Sequence, residues 1–257
     1  MTQKAPAHIL ITGATGAIGS ALALEYASPG VLLSLQGRNA QQLEQVAERC
    51  RTAGAQVTTY VIDLCDRESL REWVDELVVG EVPDLVFANA GMNINTGLDN
   101  AGESWEATEQ LLELNIRSTF YLTHLMAKAM RVKGQGQLVL LSSLAAWFGL
   151  PVTPAYSASK AAVKAYGEGL RGWLSGSGVS VTVVMPGYVS SAMCDAMPGP
   201  KPFLWRADRA AGYIRSRVAR RRGRVSFPFP LNFGTWWLAV LPAGLSHRIL
   251  RLMGYGG

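Results

Sequence analysis

The sequence predicts an α/β domain built as a doubly wound parallel sheet, with helices on both faces in three layers. Three observations carry this. Short β-branched apolar runs alternate with amphipathic stretches from the first residues to about Pro228. Those runs are apolar throughout rather than every second residue, as expected of strands covered on both faces. The chain has 257 residues, 49% hydrophobic and only 17% charged, which suits one domain with a large core and excludes a disordered chain.

Ile9–Ile11 reads as a short buried strand, followed by a glycine-rich turn and a helix over Ala17–Ala27 that Ser28-Pro29-Gly30 stops. Val31–Leu35 is the second strand. Ala40–Ala53 carries Leu43, Val46, Ala47 and Cys50 at helical spacing and ends at Gly54. A strand at Val57–Ile62, a helix at Arg67–Val79 and a strand at Leu85–Ala88 follow. Glu103–Val132 is one long helical region, Leu138–Leu141 the fifth strand and Tyr156–Leu174 a helix closed by Ser175-Gly176. Val179–Val184 is the sixth strand and Arg224–Phe227 the last. With no repeat, low-complexity tract or linker, the chain reads as a single Rossmann-type domain over 1–228, with 229–257 an apolar, aromatic extension of it.

Cys50, Cys65 and Cys194 are too scattered for a disulfide framework or a metal site, so no metal is expected and a reducing compartment is. The N-terminal run is too short for a signal peptide, and no stretch of about 20 residues is both apolar and free of helix breakers. A cytoplasmic location is the expectation. The formal charge of +5 conceals an asymmetry. Residues 1–200 hold 13 basic and 18 acidic residues, a net of −5, whereas residues 201–257 hold 11 basic residues and only Asp208, a net of +10.

Gly13, Gly16 and Gly19 lie in Thr12-Gly13-Ala14-Thr15-Gly16-Ala17-Ile18-Gly19, between the first strand and the first helix. Glycines there permit a tight turn and close approach of backbone to a pyrophosphate, which the positive helix N-terminus would favour. After the second strand, Gly37-Arg38-Asn39 offers a guanidinium fork, and no acid lies between Glu25 and Glu44. A ribose 2′-hydroxyl calls for an acid here and a 2′-phosphate for a cation, so NADP(H) is favoured over NAD(H).

Further motifs recur at strand ends: Asp63-Leu64, Asn89-Ala90-Gly91, Ser142-Ser143 and Pro186-Gly187-Tyr188-Val189-Ser190-Ser191. With Asn115 in LELNIRSTF and Tyr156-Ser-Ala-Ser-Lys160, they make the chain resemble the short-chain dehydrogenase/reductase (SDR) family over about residues 8–228. Tyr156 and Lys160, four residues apart, share a helical face. An ammonium beside a phenol would lower the tyrosine pKa from about 10 and fit it for general acid/base work, with Ser143 hydrogen-bonding the same substrate oxygen. The resemblance implies that Lys160 also binds the nicotinamide ribose and that Asn115 holds a relay water. It also implies that Asp63 and Leu64 contact adenine, that Asn89 and Gly91 line the ribose, that Val189 meets the carboxamide, and that Ala90, Pro186, Gly187 and Ser191 belong to the cofactor site. The glycine loop, including Thr15, Ala17 and Ile18, and Arg38 with Asn39 complete the expected cofactor set. Two departures stand out: Ser191 replaces the usual threonine, and the glycines fall as GxxGxxG rather than TGxxxGxG. The latter spacing is frequent in longer relatives that modify nucleotide sugars, but this chain is too short for their second domain.

Ala145, Trp147, Tyr188 and Met193 are the expected substrate walls, with Phe148, Met197 and Phe203-Leu204-Trp205 nearby; such a lining suits a hydrophobic ketone or secondary alcohol. The expected enzyme is an NADP(H)-dependent reductase of that kind. A 3-oxoacyl-(acyl carrier) reductase and a nucleotide-binding regulatory or scaffold protein without turnover are the alternatives. The resemblance implies a homodimer or homotetramer through the two long helices. Arg215–Arg224 holds six arginines in ten positions, reads as a helix, and precedes 22 uncharged residues rich in Phe and Trp. Within 215–257 this pattern is compatible with an anionic membrane surface, an acyl carrier protein, or an arm packed over the pocket. Nucleic acid is not expected, because no binding module accompanies the arginines.

Overall fold

The computed structural model describes residues 6–97 and 101–255, so the outermost residues of the 1–228 and 229–257 regions fall outside it. Strands β1 (His8–Ile11), β2 (Leu32–Gly37), β3 (Gln56–Val61), β4 (Leu85–Ala88), β5 (Gly136–Leu141), β6 (Val179–Pro186) and β7 (Arg224–Phe227) form a seven-stranded sheet. Every pairing is parallel, in the order β3-β2-β1-β4-β5-β6-β7. Chain progression reverses between β1 and β4, and the carboxyl ends of those strands open the crevice in which such sheets hold ligands. The helices are α1 (Ala17–Tyr26), α2 (Ala40–Thr52), α3 (Arg67–Gly80), α4 (Trp105–Leu112), α5 (Thr119–Lys133), α6 (Pro154–Trp173), α7 (Ala192–Asp195), α8 (Ala207–Val218), α9 (Leu231–Val240) and α10 (Ala243–Leu250).

The unbroken apolar strands divide their side chains by simple alternation. Ile9 and Ile11 pack with Leu22, Leu43 and Ile214 from α1, α2 and α8, whereas Leu10 joins Trp73, Met126 and Leu170 from α3, α5 and α6. Caps fix the helix starts: Asn39 Oδ1 accepts the N–H of Gln42, and Asp66 Oδ1 those of Glu68 and Ser69.

Three elements depart from the sequence reading. The long region at Glu103–Val132 starts at Trp105, where Ser104 caps it, and a π turn over Glu113–Ser118 splits it. The helix expected from Tyr156 begins two residues earlier, with Pro154 in its first turn, where no N–H is needed. The arginine run is not one helix, since α8 ends at Val218, Arg221 takes a left-handed φ of 49°, and the chain enters β7 at Arg224. Its arginines are partly spent internally: Arg215 pairs with Glu25 and Arg224 with Glu168.

The extension completes the domain. Leu238, Leu250 and Tyr255 pack on Val152, with Phe148, Leu150 and Tyr188 at the edge, so α9, α10 and the π turn Arg251–Tyr255 form an arm over the carboxyl end of the sheet. Among the described residues no helix is long and apolar enough to cross a membrane.

At the opposite end, buried His8 meets the Ser34 hydroxyl at 2.9 Å through Nε2, while its Nδ1 has no partner among the described residues. Burial lowers its pKa below 6.5, opposed by Glu81 and Asp84. The unfolded chain therefore takes up a proton below pH 6.5 that the native ring refuses. Stability is complete above that pH and falls beneath it by up to about 1.4 kcal/mol per unit. Thermal unfolding from pH 7.5 to 5 should show this slope, and His8→Leu should flatten it; an unchanged slope would remove His8 as its source.

Candidate active site

The turn after β1 is built for close backbone approach. Gly13 has a φ of 62°, and a Cβ there would lie 2.8 Å from the Ala90 Cα. A Cβ on Gly19 would fall 2.2 Å from the Gly13 carbonyl oxygen, which only glycine avoids. Gly16 is the N-cap of α1, and no side chain caps that helix, so its first N–H groups stay available to an anion. Two side chains missed in the sequence hold the loop. Gln36 Oε1 accepts the Gly13 N–H while its Nε2 donates to the Ile62 carbonyl, and Thr12 Oγ1 accepts the N–H groups of Asn89 and Ala90. Asn89, expected at the ribose, donates instead from Nδ2 to the carbonyls of Thr12 and Gly13; it borders the cavity while clamping the loop.

A cavity of about 970 Å³ runs from this loop across the carboxyl ends of the strands. Gly13, Thr15, Gly16, Ala17, Ile18 and Gly19 line it, with Arg38 and Asn39 after β2 and Asp63 and Leu64 after β3. Ala90, Gly91, Pro186, Gly187, Val189 and Ser191 complete that wall. Arg38 is exposed and joins no ion pair among the described residues. The glycine cradle, the uncapped helix terminus and the free guanidinium fit a dinucleotide carrying a 2′-phosphate. The Asn39 side chain is committed to capping α2.

Ser143, Tyr156 and Lys160 meet in the same cavity. Ser143 follows β5 and caps a 3₁₀ turn, Leu144–Ala146, its Oγ accepting the Ala145 N–H at 3.1 Å. Its hydroxyl donates to the Pro186 carbonyl at 3.5 Å and faces Tyr156 across the cavity wall. Lys160 is buried; its Nζ donates to the Leu141 carbonyl at 2.9 Å and lies 5.6 Å from the Tyr156 ring centre. The Ser142 hydroxyl donates to the Lys160 carbonyl, pinning α6 to the end of β5.

The pKa pattern corrects the simple expectation. Burial raises the Tyr156 pKa above 10, and the nearby Ser143 hydroxyl only partly offsets it; Lys160, pulled to about 8 by its own burial, contributes no lowering. Tyr156 is thus held as the proton-bearing phenol at neutral pH.

Asn115 lies within the π turn, buried and outside the cavity wall. Its Oδ1 accepts the Met92 N–H, and its Nδ2 donates to the Met92 carbonyl and the Ser159 hydroxyl. A Cβ on Gly91 would lie 3.1 Å from Asn115 Oδ1 and 3.3 Å from Lys160 Nζ, so these three residues converge behind the tyrosine.

Of the expected substrate walls, Ala145, Tyr188 and Met193 line the cavity. Trp147 does not. The 3₁₀ turn carries its ring to the far side, between the Lys164 ammonium at 4.7 Å and the Arg224 guanidinium at 4.8 Å. Trp205 stacks on Phe227 at 5.0 Å, and Phe203 and Leu204 are exposed, so that trio lies outside the cavity too. The missing wall comes from the arm: Leu231, Thr235, Trp237, Leu238, Leu250 and Tyr255. Tyr188 donates to the Tyr255 hydroxyl at 2.7 Å, and Tyr255 donates to the Pro200 carbonyl, latching the arm shut.

Similarity to known proteins covers almost the whole chain. Residues 7–199 match the family model described as short chain dehydrogenase. An uncharacterised oxidoreductase of Myxococcus xanthus is 34% identical over 98% of this chain and 99% of its own length. The 11-beta-hydroxysteroid dehydrogenase 1A of Arabidopsis thaliana is 32% identical over 96% of this chain and 76% of its own. Among solved structures, a short-chain dehydrogenase from Sphingobium yanoikuyae in complex with NADPH superposes with a TM-score of 0.78 at 24% identity, covering 95% of both chains.

Proposed function

Because the chain belongs to the short chain dehydrogenase family and is an oxidoreductase of that family, we propose that it transfers hydride between NADP(H) and a hydrophobic ketone or secondary alcohol. The observation that carries the reading is the meeting of Ser143, Tyr156 and Lys160 in the cavity that the glycine loop enters. The bound nucleotide supplies or accepts the hydride, and the protein supplies position and a proton.

Tyr156 gives its hydroxyl proton to the substrate oxygen in reduction and takes one back in oxidation. Ser143, which lines the same cavity, orients the substrate oxygen and opposes the burial that disfavours phenolate. Lys160, with a pKa of about 8, stands behind the phenol as the group able to hold or pass a proton near neutral pH. Asn115 positions both by tying the π turn to the loop at Met92 and to Ser159 on α6.

Aliphatic and aromatic side chains of the arm support a bulky apolar substrate, and the Arabidopsis relative is named for a hydroxysteroid. A 3-oxoacyl chain on an acyl carrier is the second reading. It draws less support, since Arg215 and Arg224 of the basic run are paired with Glu25 and Glu168. A homodimer or homotetramer through α5 and α6 belongs to the same proposal, where the small exposed residues Ala158, Ala165 and Gly169 on α6 would admit a second helix closely.

NADPH oxidation against a panel of bulky ketones, 3-oxoacyl thioesters and small polar ketones tests the assignment. The expected result is the highest kcat/KM for a bulky apolar ketone. Tight NADPH binding with no turnover of any ketone would favour a regulatory protein and overturn the reading.

A further inference from the structure

We propose that the outer face of α9 and α10 is a docking surface for an anionic lipid bilayer, seating the cavity mouth in the membrane interface. At 100° per residue, Leu231, Thr235 and Leu238 of α9 fall on one side and line the cavity, while Phe233, Trp236, Trp237 and Val240 fall on the other. That outer side is exposed and carries no charged group, its only polar atoms being the two indole N–H groups. Its rings cluster, with Phe233 6.0 Å from both Trp236 and Trp237 and those two 5.2 Å apart. A helix apolar all round is normally buried all round, yet here one face alone meets protein.

The neighbouring surface extends the patch. Phe229 is 78% exposed, Leu245 and Arg248 share a face of α10 at i and i+3, and Leu252 in the following π turn is 82% exposed. Arg248 and Arg251 are exposed beside these side chains, and no acidic residue follows Asp208. The arginine run at 215–224 is not the basic element of this surface. β7 runs away from it, placing Arg224 and Phe227 about 10 Å apart at opposite ends of that strand.

Charge selects the occupant. A second copy packed face to face would repeat Arg248 and Arg251 on both sides, and neither α9, α10 nor the π turn carries a carboxylate to pair them. Anionic headgroups match both arginines, while tryptophan and phenylalanine rings favour the headgroup level. α9 has ten residues, about 15 Å, so it can lie in the interface but not span the bilayer. Trp237 and Met253 line the cavity and are also exposed, by 42% and 44%, so the docking face borders the mouth. Resting on the proposed chemistry, this gives a membrane-dissolved ketone a route that avoids water.

Co-sedimentation of the full chain with phosphatidylcholine vesicles, with and without about one third phosphatidylglycerol, tests the surface without cofactor or ketone. Binding is expected to the anionic vesicles and to fall with salt. Arg248→Gln with Arg251→Gln should weaken it roughly thirtyfold, the product of two surface charges. Phe233→Ser, Trp236→Ser and Val240→Ser together should abolish it, with NADPH turnover of a soluble ketone preserved; should that variant not fold, the arginine pair decides alone. No binding by the natural chain, or equal binding by the arginine variant, overturns the proposal. So does light scattering in which the triple variant loses an oligomer that the natural chain forms while ignoring vesicles. None of these outcomes touches the oxidoreductase reading, which fails only on the ketone panel.

Discussion

Tyr156→Phe is expected to lower kcat by roughly 10²–10⁴-fold, the usual contribution of a positioned acid or base, while leaving NADPH affinity unchanged. The substitution removes one hydroxyl and leaves the ring among its neighbours, so the cavity keeps its shape. Single-turnover rates with a reactive ketone, set beside the NADPH dissociation constant from fluorescence, check both halves. Normal turnover in the variant would remove Tyr156 as the proton donor. The site's electrostatics add a directional expectation. Burial holds the phenol protonated at neutral pH, which is the form ketone reduction needs. Alcohol oxidation needs the phenolate, so the oxidative rate should climb with pH where the reductive rate does not. Ser143→Ala should cost less than Tyr156→Phe, because it removes a hydrogen bond to the reacting group rather than the proton itself.

The parts of the fold and site that could be read from sequence are those where backbone sterics or chain spacing leave one choice. Gly13 and Gly19 announce the nucleotide turn because a Cβ at either would strike backbone. Tyr156 and Lys160 announce the helix face because four residues close one turn. What could not be read depends on the direction in which a short irregular segment leaves a strand. The 3₁₀ turn at Leu144–Ala146 sends Trp147 away from the cavity and Phe148 toward it, although the two are adjacent. The π turn at Glu113–Ser118 places Asn115 against Met92 and Ser159, and no periodicity signals the extra residue it accommodates. α9 was opaque for another reason: a helix apolar on every side has no amphipathic stripe, so its sequence does not say which face meets the cavity. The lowering of the Tyr156 pKa by Lys160 failed as an expectation because sequence spacing does not report burial.

Arg38→Ala is expected to weaken NADPH binding by roughly 10–100-fold and to leave NADH binding nearly unchanged, on the scale of about 1.5–3 kcal/mol for hydrogen bonds to a charged group. Of the other long polar side chains at the end of β2, Gln36 has both ends of its amide spent, on the Gly13 N–H and the Ile62 carbonyl, and Gln42 at the cavity edge carries no charge. Asn39 is spent capping α2. No carboxylate stands at that strand end to receive a ribose 2′-hydroxyl, and no basic residue lies in the glycine loop to share a 2′-phosphate. Selectivity therefore falls on one exposed, unpaired guanidinium at the cavity edge. The ratio of kcat/KM for NADPH over NADH measures it directly. Arg38→Asp should invert that ratio, since an acid repels the phosphate and accepts the hydroxyl. A ratio unmoved by either substitution would detach cofactor choice from this residue, and Tyr156 chemistry would be unaffected by that outcome.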